Sequence, residues 1–178
     1  MTAFDPQSSH HFTYEVAEGK LAAEAVRFYS DIYRRDLGRI PPDSYDSVAT
    51  HFLARGSAGQ VVAACRLLGP STRPFDFEHL VSLAELLPSN ARPGLVGRLC
   101  VHPQYRNIAV SLPIQYGLIG VLVGFSRSIG VTDLILYTYD NLRSLYRVGG
   151  FEDTTVSFSH QFWGVVRLMR RKLDDNLT

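Results

Sequence analysis

The apolar run Leu95 to Val101 breaks at His102-Pro103-Gln104-Tyr105-Arg106-Asn107 into a short basic turn, and a long apolar segment follows that reads as a helix from Asn107 to Ile129. This junction restricts the chain to an α/β arrangement in which a buried strand feeds a long core helix. A helix begun at Asn107 has unpaired N–H groups in its first turn and the positive end of its dipole, so an anion there is stabilised from both sources. Arg106 adds a charged donor. The same residues also read as an ordinary strand-to-helix connection with a solvated arginine.

Periodicity places the other elements around this junction. Residues 1–11 read as a loose terminus, and Phe12 to Val16 alternates as a first strand. Leu21, Ala25, Phe28, Tyr29, Ile32 and Tyr33 return at helical spacing, and Gly38 with Pro41-Pro42 ends that helix. Val48 to Arg55 and Gln60 to Leu68 form two strands joined by the hairpin Gly56-Ser57-Ala58-Gly59. Glu78 to Leu87 reads as a short helix. Asp133 to Thr138 is a strand, Asn141 caps a helix to Val148 that Gly149-Gly150 closes, and Thr154 to His160 pairs with Phe162 to Met169. The order β-α-β-β-(α)-β-α-β-α-β-β gives a mixed sheet flanked by helices, and a chain of 178 residues suits one domain over 12–178.

Composition removes several function classes. A net charge of +1 provides no field for nucleic acid. Sixteen of the eighteen basic residues are Arg, a bias that genome base composition accounts for, so only arginines in a motif carry weight. Leu112 to Phe125 is too short, and too interrupted by Gln115, Tyr116 and glycines, to cross a bilayer. Cys65 and Cys100 sit in apolar runs and the start lacks a leader's basic and apolar regions, so a cytoplasmic protein is expected. No metal-ligand spacing or redox motif appears.

Arg106-Asn107-Ile108-Ala109-Val110-Ser111 resembles motif A of the GNAT acyltransferase superfamily, Arg-x-x-Gly-x-Gly/Ala, whose loop grips the pyrophosphate of a pantetheine cofactor. Both small positions stay small, yet neither is Gly, and a Cβ at each narrows the approach of a phosphate. The resemblance implies the GNAT fold, with its fourth and fifth strands splayed apart. It also implies a donor-binding set of Val101, Arg106, Asn107, Ile108, Ala109, Val110 and Ser111. Asn141 to Phe151 resembles motif B, which implies that Tyr146 protonates the leaving thiolate; a core or capping tyrosine is the other reading. His102 has the chemistry to accept a proton from the amine at neutral pH.

Asp43-Ser44-Tyr45-Asp46, Arg66-Leu67-Leu68 and Gly97-Arg98-Leu99 resemble the acyl-carrier-protein-dependent branch of that superfamily. The branch holds acyl-homoserine-lactone synthases, N-acyl amino acid synthases and ornithine-lipid N-acyltransferases. The resemblance implies Asp43, Asp46 and Arg66 around the acceptor and Arg98 at the catalytic centre. An amino acid acceptor offers an amine for carboxylates and a carboxylate for a bidentate Arg. An arginine in an apolar strand is costly unless paired, so an internal network of these four residues is expected as well. Leu95 stands where the branch has Glu, and Tyr29 where it has Arg. The function implied is transfer of a fatty acyl group from the phosphopantetheine arm of acyl carrier protein to the amine of an amino acid or similar small molecule. No permanently bound cofactor is implied. A coenzyme A-dependent acetyltransferase and a non-catalytic GNAT-like module are the alternatives. Phe75, Phe77, Leu99, Val101, Tyr137 and the final strands are the expected walls of an acyl tunnel.

Overall fold

A computed structural model describes residues 11–41 and 43–173. The expected loose terminus, but for His11, lies outside them. Strand β1 (Thr13–Ala17) leads into helix α1 (Lys20–Leu37), then β2 (Thr50–Arg55), β3 (Val61–Leu68) and β4 (Pro93–Val101). Helix α2 (Ile108–Ser128), β5 (Asp133–Thr138), helix α3 (Arg143–Val148), β6 (Glu152–His160) and β7 (Gly164–Lys172) complete the order. The sheet runs β1-β2-β3-β4-β5-β7-β6, antiparallel except for β4 against β5.

Alternation along the central strands assigns the two helices to opposite faces. Leu53, Ala64 and Cys100 pack on Ala25, Tyr29 and Ile32 of α1. Their neighbours Phe52, Ala54 and Cys65 pack on Ile114, Leu118 and Leu122 of α2. Each of the Leu, Ile and Phe side chains among them contributes about 1.5–3 kcal/mol by leaving water. Gly38 ends α1 in the left-handed conformation, φ 69°, that glycine adopts without a Cβ clash. Asn107 starts α2 by accepting the Ala109 N–H at 3.0 Å on its side chain. The helix outruns the Leu112–Phe125 segment: at 21 residues it is long and apolar enough to cross a membrane by length and composition. In this fold its apolar stripe covers the sheet.

Strands β4 and β5 bond only where Pro93–Leu95 face Asp133–Ile135. Beyond that point β4 stays with β3 and β5 stays with β7, so the fourth and fifth strands splay as expected. The register of β3 on β4 slips between Ala64 and Arg66, and opposite the slip Arg98 takes φ 58°. A bulge with a non-glycine residue in that region aims one side chain out of the regular alternation.

Two expected elements differ. Glu78 to Leu87 is a chain of turns with one 3-10 turn at Leu83–Glu85 instead of a helix. Phe75, Phe77, Leu83 and Leu87 anchor it to the sheet, and the Glu78 carboxylate accepts the Phe75 N–H at 2.9 Å and pairs with Arg73. Asn141 caps nothing: a 3-10 turn over Asp140–Leu142 precedes α3, and Leu142 holds the cap position with no side-chain bond.

Candidate active site

The splay opens a cavity of about 840 Å³. Its walls are Leu95 to Leu99 of β4, Leu136 to Thr138 of β5 with Tyr139 after them, Pro41 and Asp43 to Tyr45 ahead of β2, Asp76, and the chain from His160 at the end of β6 to Trp163. A small recess shares Leu99 and Tyr146 with it and reaches Leu112 of α2 and Val148 of α3.

Arg66 and Arg98 enter from β3 and β4 with side chains 7% and 5% exposed, so their charges need partners inside the protein. Asp43 Oδ2 lies 2.5 Å from Arg66 and 2.7 Å from Arg98, and its Oδ1 accepts the Tyr45 N–H at 2.7 Å. Asp46 pairs with Arg66 and accepts the Tyr29 hydroxyl at 2.6 Å. Arg98 also donates to the Pro41 carbonyl at 3.2 Å and lies over the Tyr33 ring at 5.1 Å. Burial alone would raise the Asp43 carboxyl, but the hydrogen bond and charge of Arg66 hold it below its ordinary range. Burial likewise opposes the Arg66 charge, and the two carboxylates outweigh it. The expected network is therefore present. Nε of Arg66, with Nε and Nη1 of Arg98, remains buried without a hydrogen-bond partner among the described residues.

Tyr146 lies on the cavity wall beside Leu142. Burial, reinforced by the Cys100 and Cys65 thiols, pushes its hydroxyl up to about 12. It therefore keeps its proton at neutral pH. The hairpin turn borders the mouth, where Trp163 meets Tyr33 at 5.8 Å and Arg39 sits 4.2 Å over Phe162.

The other expected residues fall elsewhere. His102 lies past the end of the cavity wall, near Phe28 and Tyr105, with Nδ1 accepting the Gln104 N–H at 3.4 Å. That position gives it no contact with the cavity. Arg106 donates to the Val101 carbonyl at 2.9 Å and pairs with Asp36 of α1 at 2.5 Å, so its charge is already engaged. Asn107, Ile108 and Ala109 form an exposed first turn of α2, Val110 is half-buried, and Ser111 is buried under it. Leu99 and Tyr137 line the cavity as expected, whereas Phe75 and Phe77 are buried in the core and Val101 lies outside the wall.

Sequence reasoning missed a polar group on the other wall. Asp76, from the loop after β3, accepts the Tyr137 hydroxyl at 2.9 Å and lies 3.4 Å from His160. No spacing signals it, because the three residues come from a loop and two strands that meet only through the topology.

Residues 28–114 match the family model described as an acetyltransferase (GNAT) domain. The splayed strands and this match give the chain the GNAT fold. The structure is similar to FeeM, an N-acyl amino acid synthase from uncultured soil microbes. The TM-score is 0.78 at 11% identity, over 95% of this chain and 94% of that one. It is also similar to the AHL synthase LasI, with a TM-score of 0.67 at 14% identity over 93% and 92% of the two chains. A putative N-acetyltransferase from Lactobacillus plantarum gives 0.67 at 12% identity over 92% and 99%. At these identities the likeness is one of fold. A comparison with curated protein sequences finds no match.

Proposed function

We propose that this protein is a cytoplasmic N-acyltransferase that moves a fatty acyl group from the phosphopantetheine arm of acyl carrier protein to the amine of an amino acid or a similar small molecule. The observation that carries this reading is the cavity in the splay. About 840 Å³ of largely apolar wall suits a ligand well beyond an acetyl group, and Arg98 with unpartnered nitrogens suits an acceptor carboxylate.

The chemistry follows from the walls. The amine nitrogen attacks the thioester carbonyl carbon, the C–N bond forms, and the C–S bond breaks with its electron pair on sulfur. Past Leu95, β4 has no β5 partner, so its edge offers backbone donors for the oxyanion. Tyr146, still protonated, is suited to give its proton to the departing sulfur, and the proton shed by the attacking nitrogen restores the hydroxyl by way of solvent. Donor binding at Val101, Arg106, Asn107, Ile108, Ala109, Val110 and Ser111 belongs to the same proposal.

The test is turnover with acyl carrier proteins and coenzyme A thioesters of graded chain length against pooled amino acids, read by mass spectrometry. An N-acyl amino acid formed from a long-chain donor is the expected product. Acetyl transfer alone, or no product from any donor, overturns the reading.

A further inference from the structure

Beside β5 and β6, the loop after β3 brings to the cavity wall a carboxylate whose two oxygens are used unequally. The Tyr137 hydroxyl donates to Asp76 Oδ2 at 2.9 Å, and His160 Nε2 faces the same oxygen at 3.4 Å. Backbone N–H groups of Phe162 and Trp163 donate to His160 Nδ1 at 3.0 and 3.3 Å. That nitrogen is therefore the acceptor, which assigns the ring proton to Nε2, toward Asp76. Tyr137 stacks on His160 at 5.3 Å, so both donors are fixed relative to each other. Asp76 Oδ1, in contrast, is shielded from solvent and has no hydrogen-bond partner among the described residues.

The other cavity carboxylate differs. Asp43 is engaged on both oxygens by Arg66, Arg98 and the Tyr45 N–H, and Asp46 behind it serves Arg66 and Tyr29. Asp43 therefore has no oxygen free for an ammonium, and Asp46 does not line the cavity. Asp76 does, with one oxygen unpartnered and its side chain 32% exposed. The terminal carboxylate torsion is broad, so the carboxylate can tilt toward a ligand on its exposed side while Oδ2 stays within reach of Tyr137. A buried carboxylate oxygen without a donor favours any ligand that brings a charged one.

We propose that Asp76 is the amine-recognition site of this cavity: its carboxylate binds the primary ammonium of the acceptor, with Tyr137 and His160 holding it in place. The assignment rests on the acyl-transfer reading for the identity of its ligand, and it supplies the carboxylate that Leu95 removes from β4. Cationic donors then face the cavity from the Arg98 side and the anionic acceptor from the Asp76 side. An acceptor carrying both an amine and a carboxylate is the class that matches.

The protein holds one tryptophan, Trp163, and it lines the cavity, so its fluorescence reports binding there. The probes are n-octylamine and n-octanol, which share a chain length and differ in the charged head. The wild type is expected to bind octylamine at least about tenfold more tightly than octanol, a difference of about 1.4 kcal/mol. In Asp76→Asn the ratio falls to near one while octanol affinity stays, and Asp76→Ala serves if the Asn variant does not fold. A wild type without amine preference overturns the proposal, as does a variant that keeps it. Amine preference without any acyl transfer overturns the acyl-transfer reading and supports this one. Acyl transfer by Asp76→Asn at the wild-type acceptor KM overturns this one alone.

Discussion

Arg66 and Arg98 look alike in the sequence, each a charge inside an apolar strand, but the structure makes them unequal. Arg66 serves two carboxylates, Asp43 and Asp46, whereas Arg98 shares Asp43 with it. Removing Arg66 leaves Asp46 with the neutral Tyr29 hydroxyl and halves the charged partners of Asp43. Arg66→Ala is therefore expected to lose about 3–5 kcal/mol of stability in urea unfolding, the range for a broken buried pair. Arg98→Ala leaves Asp43 on Arg66 and should lose less, about 1.5–3 kcal/mol, the range for a hydrogen bond to a charged group. Equal losses would contradict this ranking. The acid limb gives a second reading of the same pair. The folded Asp43 carboxyl lies below the unfolded value of about 3.9, so its contribution is present above that pH and disappears as pH falls through the folded value. In Arg66→Ala that acid-dependent part of the stability should shrink.

At the scale of elements, α2 approaches β1 closely at Gly117. A Cβ built on Gly117 would lie 2.1 Å from the Tyr14 ring, and the Tyr14 hydroxyl donates to the Pro113 carbonyl of the same helix at 3.1 Å. Two effects compete in Gly117→Ala. Helix propensity favours Ala by about 1 kcal/mol, and overpacking costs about 1–3 kcal/mol. With the ring fixed by its hydrogen bond, overpacking wins and the melting temperature should fall. In a Tyr14→Ala background the ring is gone and the same substitution should raise it. A change of the same sign in both backgrounds would refute the packing argument. The elements themselves were largely legible because each carried a period or a stop: Gly38 after α1, the Gly56–Gly59 hairpin, the Asn107 cap. The Glu78–Leu87 segment was not, because its apolar residues anchor a loop to the sheet, and their spacing mimics a helix face. The site divides in the same way. Arg66, Arg98 and the aspartates could be read because a charge among apolar residues needs a partner. Asp76, His160 and Tyr137 carry no such signal, and the bulge that re-aims Arg98 depends on pairing with β3 that no local pattern reveals.

At the scale of the whole molecule, the proposed acyl transfer makes separate demands on a donor at the cavity and at the helix N-terminus. The cavity in the splay, about 840 Å³, has room for a chain that acetyl cannot fill. On that proposal the first turn of α2 would face the phosphate with exposed Ala109, and Ser111 beneath it, where glycines would admit a closer approach, and Arg106 is already committed to Asp36. A coenzyme A diphosphate asks for that close approach twice, whereas the arm of a carrier protein presents one phosphodiester. Both demands point to the same donor. Long-chain acyl carrier protein is expected to exceed acetyl coenzyme A by at least about tenfold in kcat/KM, or about 1.4 kcal/mol of transition-state stabilisation. A long-chain acyl coenzyme A of the same length separates the two causes: it should recover the part of the gain that comes from filling the cavity and fall short by the part that comes from the phosphate turn. Acetyl coenzyme A turning over as well as the long-chain carrier would assign the cavity to the acceptor alone and the protein to acetyl transfer.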